Sequence, residues 1–258
     1  MANSTLDEDK ETLLTVKDKL AGAGNLDWSL KKPIEDWEGV KVAGSRVAEL
    51  SLENKGLSKS IPAELGLLSK LRRLNLRNNR LCGSVPPELG NLSNLEWFSL
   101  YNNCLTETIP SSLGGLTKLK VLSLKMNRLE GPIPVELGNL SRLKELHLST
   151  NRLTAIPDEL CKLSRLQRLQ LHDNQLVGEI PAWLGNLSEL RRLYLGQNQL
   201  KGTIPPELGK LSKLRRLSLH SNQLTGSVPH ELGKLKRLQH VSLYKNDLDF
   251  KIRFHFDK

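Results

Sequence analysis

The chain has 258 residues, a formal net charge of +10 and 4% aromatic residues, so its core is built mainly from Leu and not from stacked rings. No apolar run approaches the roughly 20 residues that span a bilayer, and the opening MANSTLDEDKETLLTVKDKL is too charged to read as a secretory signal peptide. Three Cys without a pairing pattern fit a reducing compartment, and a cytoplasmic setting is expected. Residues 1–46 hold nine acids and seven Lys/Arg, whereas residues 47–258 hold 31 Lys/Arg and 19 acids. The basic character therefore belongs to the second part. It favours acidic partners and says nothing about fold.

Residues 5–20 carry Leu6, Leu13, Val16 and Leu20 at helical spacing among Asp, Glu and Lys, which predicts an amphipathic helix. Thr5 with Glu8 forms a capping box, and Gly22 and Gly24 stop the helix. Trp28 and the segment EDWEGVKV with Trp37 follow. From Val47 onward the chain repeats itself. Leu71–Asn94, LRRLNLRNNRLCGSVPPELGNLSN, is one 24-residue unit. Units begin at Val47, Leu71, Leu95, Leu119, Leu143, Leu166, Leu190, Leu214 and Leu238, giving eight full copies and a partial ninth. A fixed period of this size marks a solenoid, whose open end must be covered. Residues 1–46 are therefore expected to form an N-terminal cap.

Within each unit the segment x-L-x-L-x predicts a short strand, with alternate Leu inward. Nine stacked strands would make a parallel sheet about 40 Å long. The ninth place is Asn in every unit but the first, which has Lys55. An Asn there can satisfy backbone groups of its own and the neighbouring coil. Ile/Val-Pro excludes a second continuous central strand. P-x-E-L-G-x-L predicts a helical turn with its Gly as the stop. Leu143–Arg165 has 23 residues and Thr154-Ala155-Ile156-Pro157 lacks the usual Gly, so its second strand should be disrupted. The tail alternates Phe250, Ile252, Phe254 and Phe256 with Lys251, Arg253 and His255, as a strand covering the last coil would.

The pattern LxxLxLxxNxLxGx(I/V)PxxLGxL resembles the plant-type leucine-rich repeat over residues 47–258. The resemblance implies an α/β solenoid, a curved array with a parallel concave β-sheet. It divides the chain into a helical cap (1–46), the repeats (47–249) and a short β-like C-terminal cap (250–258). The stretch DKETLLTVKDKL…WEGVKV…SRV is similar to the cap that precedes such repeats in plant receptor-like proteins and polygalacturonase-inhibitor-type proteins. Glu35 and Val42 stand where those caps carry Cys, so the cap disulfide is absent, as is the Cys-bearing C-terminal cap.

No HExxH, CxxC, P-loop or GxSxG occurs, so no enzyme activity, cofactor or metal is expected. Cys82 and Cys104 fall on adjacent coils and read as free thiols. The informative residues are those the repeat leaves variable on the sheet face. Arg72, Arg73, Arg77 and Lys125 supply charge; Trp97, Tyr101, Tyr194 and Tyr244 supply apolar contact; His147, His172 and His220 lie among them. Tyr, Trp and Arg dominate energetic hot spots, and places five and seven of the repeat should be the most exposed. The expected function is a non-enzymatic interaction module that binds an acidic protein or peptide on its concave face, in signalling or scaffolding, as a monomer. The His should strengthen binding near pH 6.5, about their unperturbed pKa, and below. An extracellular recognition module, either a receptor ectodomain or an inhibitor of a cell-wall-degrading enzyme, is the alternative. Nucleic-acid binding through the basic face is a third reading, disfavoured because no aromatic platform is interleaved with the charges.

Overall fold

The computed structural model describes residues 6–20 and 26–249. The expected cap box at Thr5, the helix stop at Gly22 and Gly24, and the Phe250–Phe256 strand lie outside the described residues.

The dominant element is a ten-stranded sheet. Val40–Ala43 pairs antiparallel with Arg46–Ser51. Every later strand joins in parallel, one per coil: Arg73–Asn75, Trp97–Ser99, Val121–Ser123, Glu145–His147, Arg168–Gln170, Arg192–Tyr194, Arg216–Ser218 and His240–Ser242. The central residue of each strand points inward, so Leu50, Leu74, Phe98, Leu122, Leu146, Leu169, Leu193, Leu217 and Val241 form one registered row. All but Val241 are buried. Neighbouring strands sit about 4.8 Å apart. Opposite the sheet, each coil carries a five-residue 3-10 helix, from Ala63–Leu67 to His230–Lys234. A 3-10 turn is thicker than a strand, so the array bends with the sheet inside.

The Asn row does what its spacing requires. Asn103 Nδ2 donates to the carbonyls of Leu76 and Leu100, each at 3.0 Å, while its Oδ1 accepts from Leu81 N at 3.0 Å. One buried amide thus joins three coil segments. Asn127, Asn151, Asn174, Asn198, Asn222 and Asn246 repeat the donations to their own and the preceding coil.

The Gly of P-x-E-L-G-x-L has a different role from the one expected. It does not end the turn in a left-handed conformation. A Cβ on Gly90 would lie 2.5 Å from the Ser112 carbonyl oxygen of the next coil, so the residue is Gly because the turns stack in contact. Left-handed backbone falls at the eighth place of every coil, as at Asn78 (φ 55) and Asn102 (φ 54), and again at the thirteenth place of several. The thirteenth place is Gly in Gly83 and Gly131, yet Lys59 (φ 69) and Glu107 (φ 65) adopt the same conformation without being Gly.

The second ladder, on the flank beyond the Asn row, is interrupted twice. Ser58–Lys59, Arg80–Gly83 and Cys104–Leu105 form one piece. Glu130–Gly131 pairs only with Arg152–Leu153, and Val177–Glu179 begins a four-stranded piece that ends at Asp247–Asp249. The break after Arg152–Leu153 is the one expected from the 23-residue unit. The break before Glu130–Gly131 was not expected; it follows Glu107, and a single bridge between Thr108 and Glu130 spans it. In the short unit Cys161 occupies the close-approach Gly place, and the 3-10 turns Asp158–Lys162 and Ala182–Asn186 pack less closely than the others. Trp183 bridges them, its Nε1 donating to Asp158 Oδ1 at 2.8 Å.

At the N-terminal end the helix Leu6–Lys19 buries Leu13 and Val16 against the first coil. Asp9, 2% exposed, accepts from Arg46 Nε (2.9 Å), Arg46 Nη2 (2.7 Å) and Val47 N (2.7 Å). Trp28 and Trp37 stack with ring centroids 5.4 Å apart, and their indole N–H groups donate to Glu38 and Lys32 carbonyls.

Candidate recognition face

Side chains flanking each inward Leu of the long sheet point out of the concave face, and parallel registry sets them one above another. Arg73 lies opposite Trp97, and its guanidinium stacks over the indole at 3.9 Å from the ring centroid. Trp97 lies opposite Val121. Lys125 Nζ sits 5.8 Å from the Tyr101 ring centroid. Beside these contacts lies an open hollow of about 280 Å³, lined by Arg77, Trp97, Tyr101, Lys125 and His147 together with Ser99, Val121, Ser123, Glu145 and Gln170. A larger open groove of about 480 Å³ on the turn side is lined by Pro, Ser, Thr and Ile and presents no ionisable side chain.

Of the residues singled out from sequence, Arg77, Trp97, Tyr101, Lys125 and His147 line the hollow, and Arg73 covers one wall. His172 and Tyr194 meet edge-to-face at 5.9 Å outside its lining, while His220 and Tyr244 stack at 4.6 Å near the last coil. Arg72 is exposed and does not line the hollow. Val121 and Glu145 were missed. Their signal was registry, since each shares place three with Trp97 and Arg168 on neighbouring strands.

Two expectations about this face change. Places five and seven are not the most exposed stripe. Asn75, Ser99 and Ser123 at place five are 4%, 2% and 9% exposed, and Ser149 at place seven is fully buried. Long neighbours fold over these short floor residues, as Arg73 does over Trp97 one coil along. The face is also less basic than a count of Lys and Arg suggests. Arg77 pairs with Glu53 at 2.6 Å, Lys120 with Glu96 at 2.5 Å, and Arg168 with Glu145 at 3.1 Å.

Burial first, then nearby cations, shapes the histidines. His147 is pushed down by desolvation, opposed by Glu145 and reinforced by Arg168 and Lys125. His172 is lowered by burial and by Lys125, and His220 by burial and Lys245. Their charge change therefore falls below the expected 6.5 or so. His147 Nε2 lies 3.2 Å from Glu145 Oε2 without hydrogen-bond geometry. His172 Nδ1 and Ser149 Oγ are buried without a hydrogen-bond partner. The floor thus holds polar atoms whose hydrogen-bonding capacity is unused.

A solenoid of stacked Leu-cored coils, with a Trp-, Tyr- and Arg-lined hollow on its sheet face, defines a repeat-type binding scaffold. A sequence profile described as "Leucine-rich repeat region" matches residues 120–254, and one described as "Leucine rich repeat" matches residues 69–129. The chain belongs to the leucine-rich repeat family. Among solved structures it is similar to the ectodomain of the Arabidopsis thaliana membrane receptor kinase GASSHO1/SCHENGEN3, in complex with CASPARIAN STRIP INTEGRITY FACTOR 2 (39% identity, TM-score 0.91, 93% of this chain and 30% of that one). It is also similar to the Arabidopsis receptor kinase HAESA in complex with the peptide hormone IDA and the co-receptor SERK1 (32%, 0.76, 96% and 46%). A plant ice-binding protein is a third match (29%, 0.82, 95% and 88%). The chain thus spans under half the length of the two receptor structures. Comparison with curated proteins gives no match. No helix among the described residues is long and apolar enough to cross a membrane.

Proposed function

We propose that this chain is a non-enzymatic recognition module that binds an acidic protein or peptide in the concave hollow centred on Tyr101. The observation that carries this reading is the hollow itself: two cation-ring pairs, Arg73–Trp97 and Lys125–Tyr101, wall a floor whose His147 Nε2 is buried without a hydrogen-bond partner. Stacked rings offer apolar area at little entropic cost, Lys125 offers charge, and an orphaned floor atom rewards a ligand that brings a hydrogen bond. The similarity to a receptor kinase whose structure holds a peptide hormone and a co-receptor supports a peptide as the ligand and signalling as the context. One chain presents one complete hollow, so binding needs no second copy.

The same similarity supports an extracellular setting over the cytoplasmic one expected from sequence. That expectation rested on a charged opening stretch and on three Cys without a pairing pattern. The Asp9–Arg46–Val47 network and the Trp28–Trp37 stack hold the cap where a disulfide is absent.

The test combines Arg77→Ala, Tyr101→Ala, Lys125→Ala and Tyr194→Ala and measures capture of an acidic peptide pool by isothermal titration. Loss of about 2 kcal/mol or more of binding free energy is expected, the scale of a single hot spot. An unchanged affinity in a variant with a native melting curve overturns the reading. A lysine-rich pool is the charge control.

A further inference from the structure

Two of the three Cys meet on the flank beyond the Asn row. By repeat place they look unrelated: Cys82 is twelfth in its unit and Cys104 tenth in the next. The second ladder is staggered, and it sets the twelfth place of one coil level with the tenth of the next. Ser58 thus pairs with Arg80, Val177 with Gln199 and Thr225 with Asp247. The same stagger puts Cys82 directly opposite Cys104, across the parallel strands Arg80–Gly83 and Cys104–Leu105. Both are free thiols; Cys82 is exposed and Cys104 half-buried.

Register partners on parallel strands send their side chains to the same face, with neighbouring strands about 4.8 Å apart. A disulfide accepts Cα separations of about 4.4–6.8 Å and prefers Cβ atoms about 3.8 Å apart. Closing the bond therefore asks for a shift of only about 1 Å between two coils. A bond that draws level strands together is held off its preferred geometry, and Cys82 leaves it open to solvent. Both properties make a disulfide easy to reduce. The pair has no third ligand for a metal ion: among the described residues no group of three or more His, Cys, Asp or Glu stands together to hold one. The remaining thiol, Cys161, is exposed on the 3-10 turn Asp158–Lys162, two coils beyond Cys104.

We propose that Cys82 and Cys104 form a reversible disulfide that clamps the second coil to the third. The oxidant is a low-molecular-weight disulfide of the glutathione type. The more exposed Cys82 loses its proton, and its thiolate attacks one sulfur of that disulfide. The small S–S bond breaks and one small thiolate leaves. Cys104 then loses its proton and attacks Cys82 Sγ in the mixed disulfide, which releases the second small thiolate. Both protons end on the released thiols, so two protein thiols are oxidised and one small disulfide is reduced. The clamped coils carry part of the hollow: Arg73 and Arg77 come from the second, Trp97 and Tyr101 from the third. The clamp fixes the spacing of the strands that present them. Its chemistry lies on the flank and is independent of what the hollow binds, so either proposal can fail its own test while the other passes.

The experiment exposes the reduced full chain to glutathione disulfide, counts free thiols and locates linked peptides by mass. The expected product is a single chain with a Cys82–Cys104 link and Cys161 as its one remaining thiol. Cys161→Ser should still form the link. Cys82→Ser and Cys104→Ser should not, and each should carry glutathione on its remaining thiols instead. In urea the stagger is lost, so all three pairings of the Cys should appear. Excess reduced glutathione should return the native chain to three free thiols. Glutathione adducts on Cys82 and Cys104 without a link, links between chains, pairings through Cys161 as abundant as Cys82–Cys104 in the native chain, or a link that resists reduced glutathione would each overturn the proposal.

Discussion

Single residues carry two kinds of burden here. Asn103 is the clearest structural case: 8% exposed, it satisfies two carbonyls and one amide from two coils. Asn103→Ala would orphan the Leu81 N–H, while the Leu76 and Leu100 carbonyls keep the amides of Asn79 and Asn127. A loss of about 1–3 kcal/mol is expected in urea unfolding, the cost of one unsatisfied buried group. The histidines carry a functional burden. Because burial lowers the pKa of His147, His172 and His220, the unfolded chain binds more protons as pH falls below about 6.5, and stability drops with it. Melting temperature should decline from pH 7 toward pH 5.5. Replacing the three His by Gln should flatten that slope; an equally steep slope in the variant would remove them as its cause. An acidic ligand reverses the local preference, so binding should take up protons and tighten in the same window.

At the scale of elements, the 3-10 turn explains why the coils stack so closely. It has no side-chain cap and is held by its own backbone and by contact with the next turn. Gly90→Ala would drive a Cβ to 2.5 Å from a carbonyl oxygen that cannot move without shifting the next coil. A cost of about 1–3 kcal/mol is expected, as for overpacking, and chemical denaturation would read it. The chain has made a comparable exchange once. Cys161 replaces the Gly, the turns separate, and Trp183 spans the gap to Asp158. The second ladder breaks at the same coil because a residue has been lost. Its other break follows Glu107; a left-handed non-Gly residue is not enough to cause it, since Lys59 has the same conformation and stays paired with Leu81.

For the whole molecule, stability is a sum over coils and their interfaces, and the ends decide whether the array frays. Asp9 secures the N-terminal end through three hydrogen bonds, two of them from a charged Arg46. Asp9→Ala would leave that pair broken inside the cap, at a cost of about 3–5 kcal/mol. Hydrogen exchange should then quicken in the cap and the first coil, while the coils after Leu166 keep their protection. Uniform quickening along the chain would mean that the array unfolds as one unit. The same one-dimensional build places the candidate hollow, since the repeat aligns its variable places on neighbouring coils.

The sequence by itself determined the solenoid. Leu at four fixed places and Asn at the ninth leave one way to bury the Leu and to satisfy the bend, so the coil count, the inward row and the Asn hydrogen bonds were all legible. So was the damage in the 23-residue unit, because a lost residue cannot be hidden in a fixed period. The candidate hollow was half legible: the repeat said which residues face out, and Arg77, Trp97, Tyr101, Lys125 and His147 line it. Tertiary structure decided the rest. Whether a turn Gly is needed for its φ or for contact depends on the next coil, 22 residues away in the case of Gly90 and Ser112. Exposure at places five and seven depends on which neighbour folds over them. Net charge on the face depends on pairs such as Arg77–Glu53 and Arg168–Glu145, formed between coils. A repeat pattern specifies where each side chain starts; only packing across coils specifies what it meets.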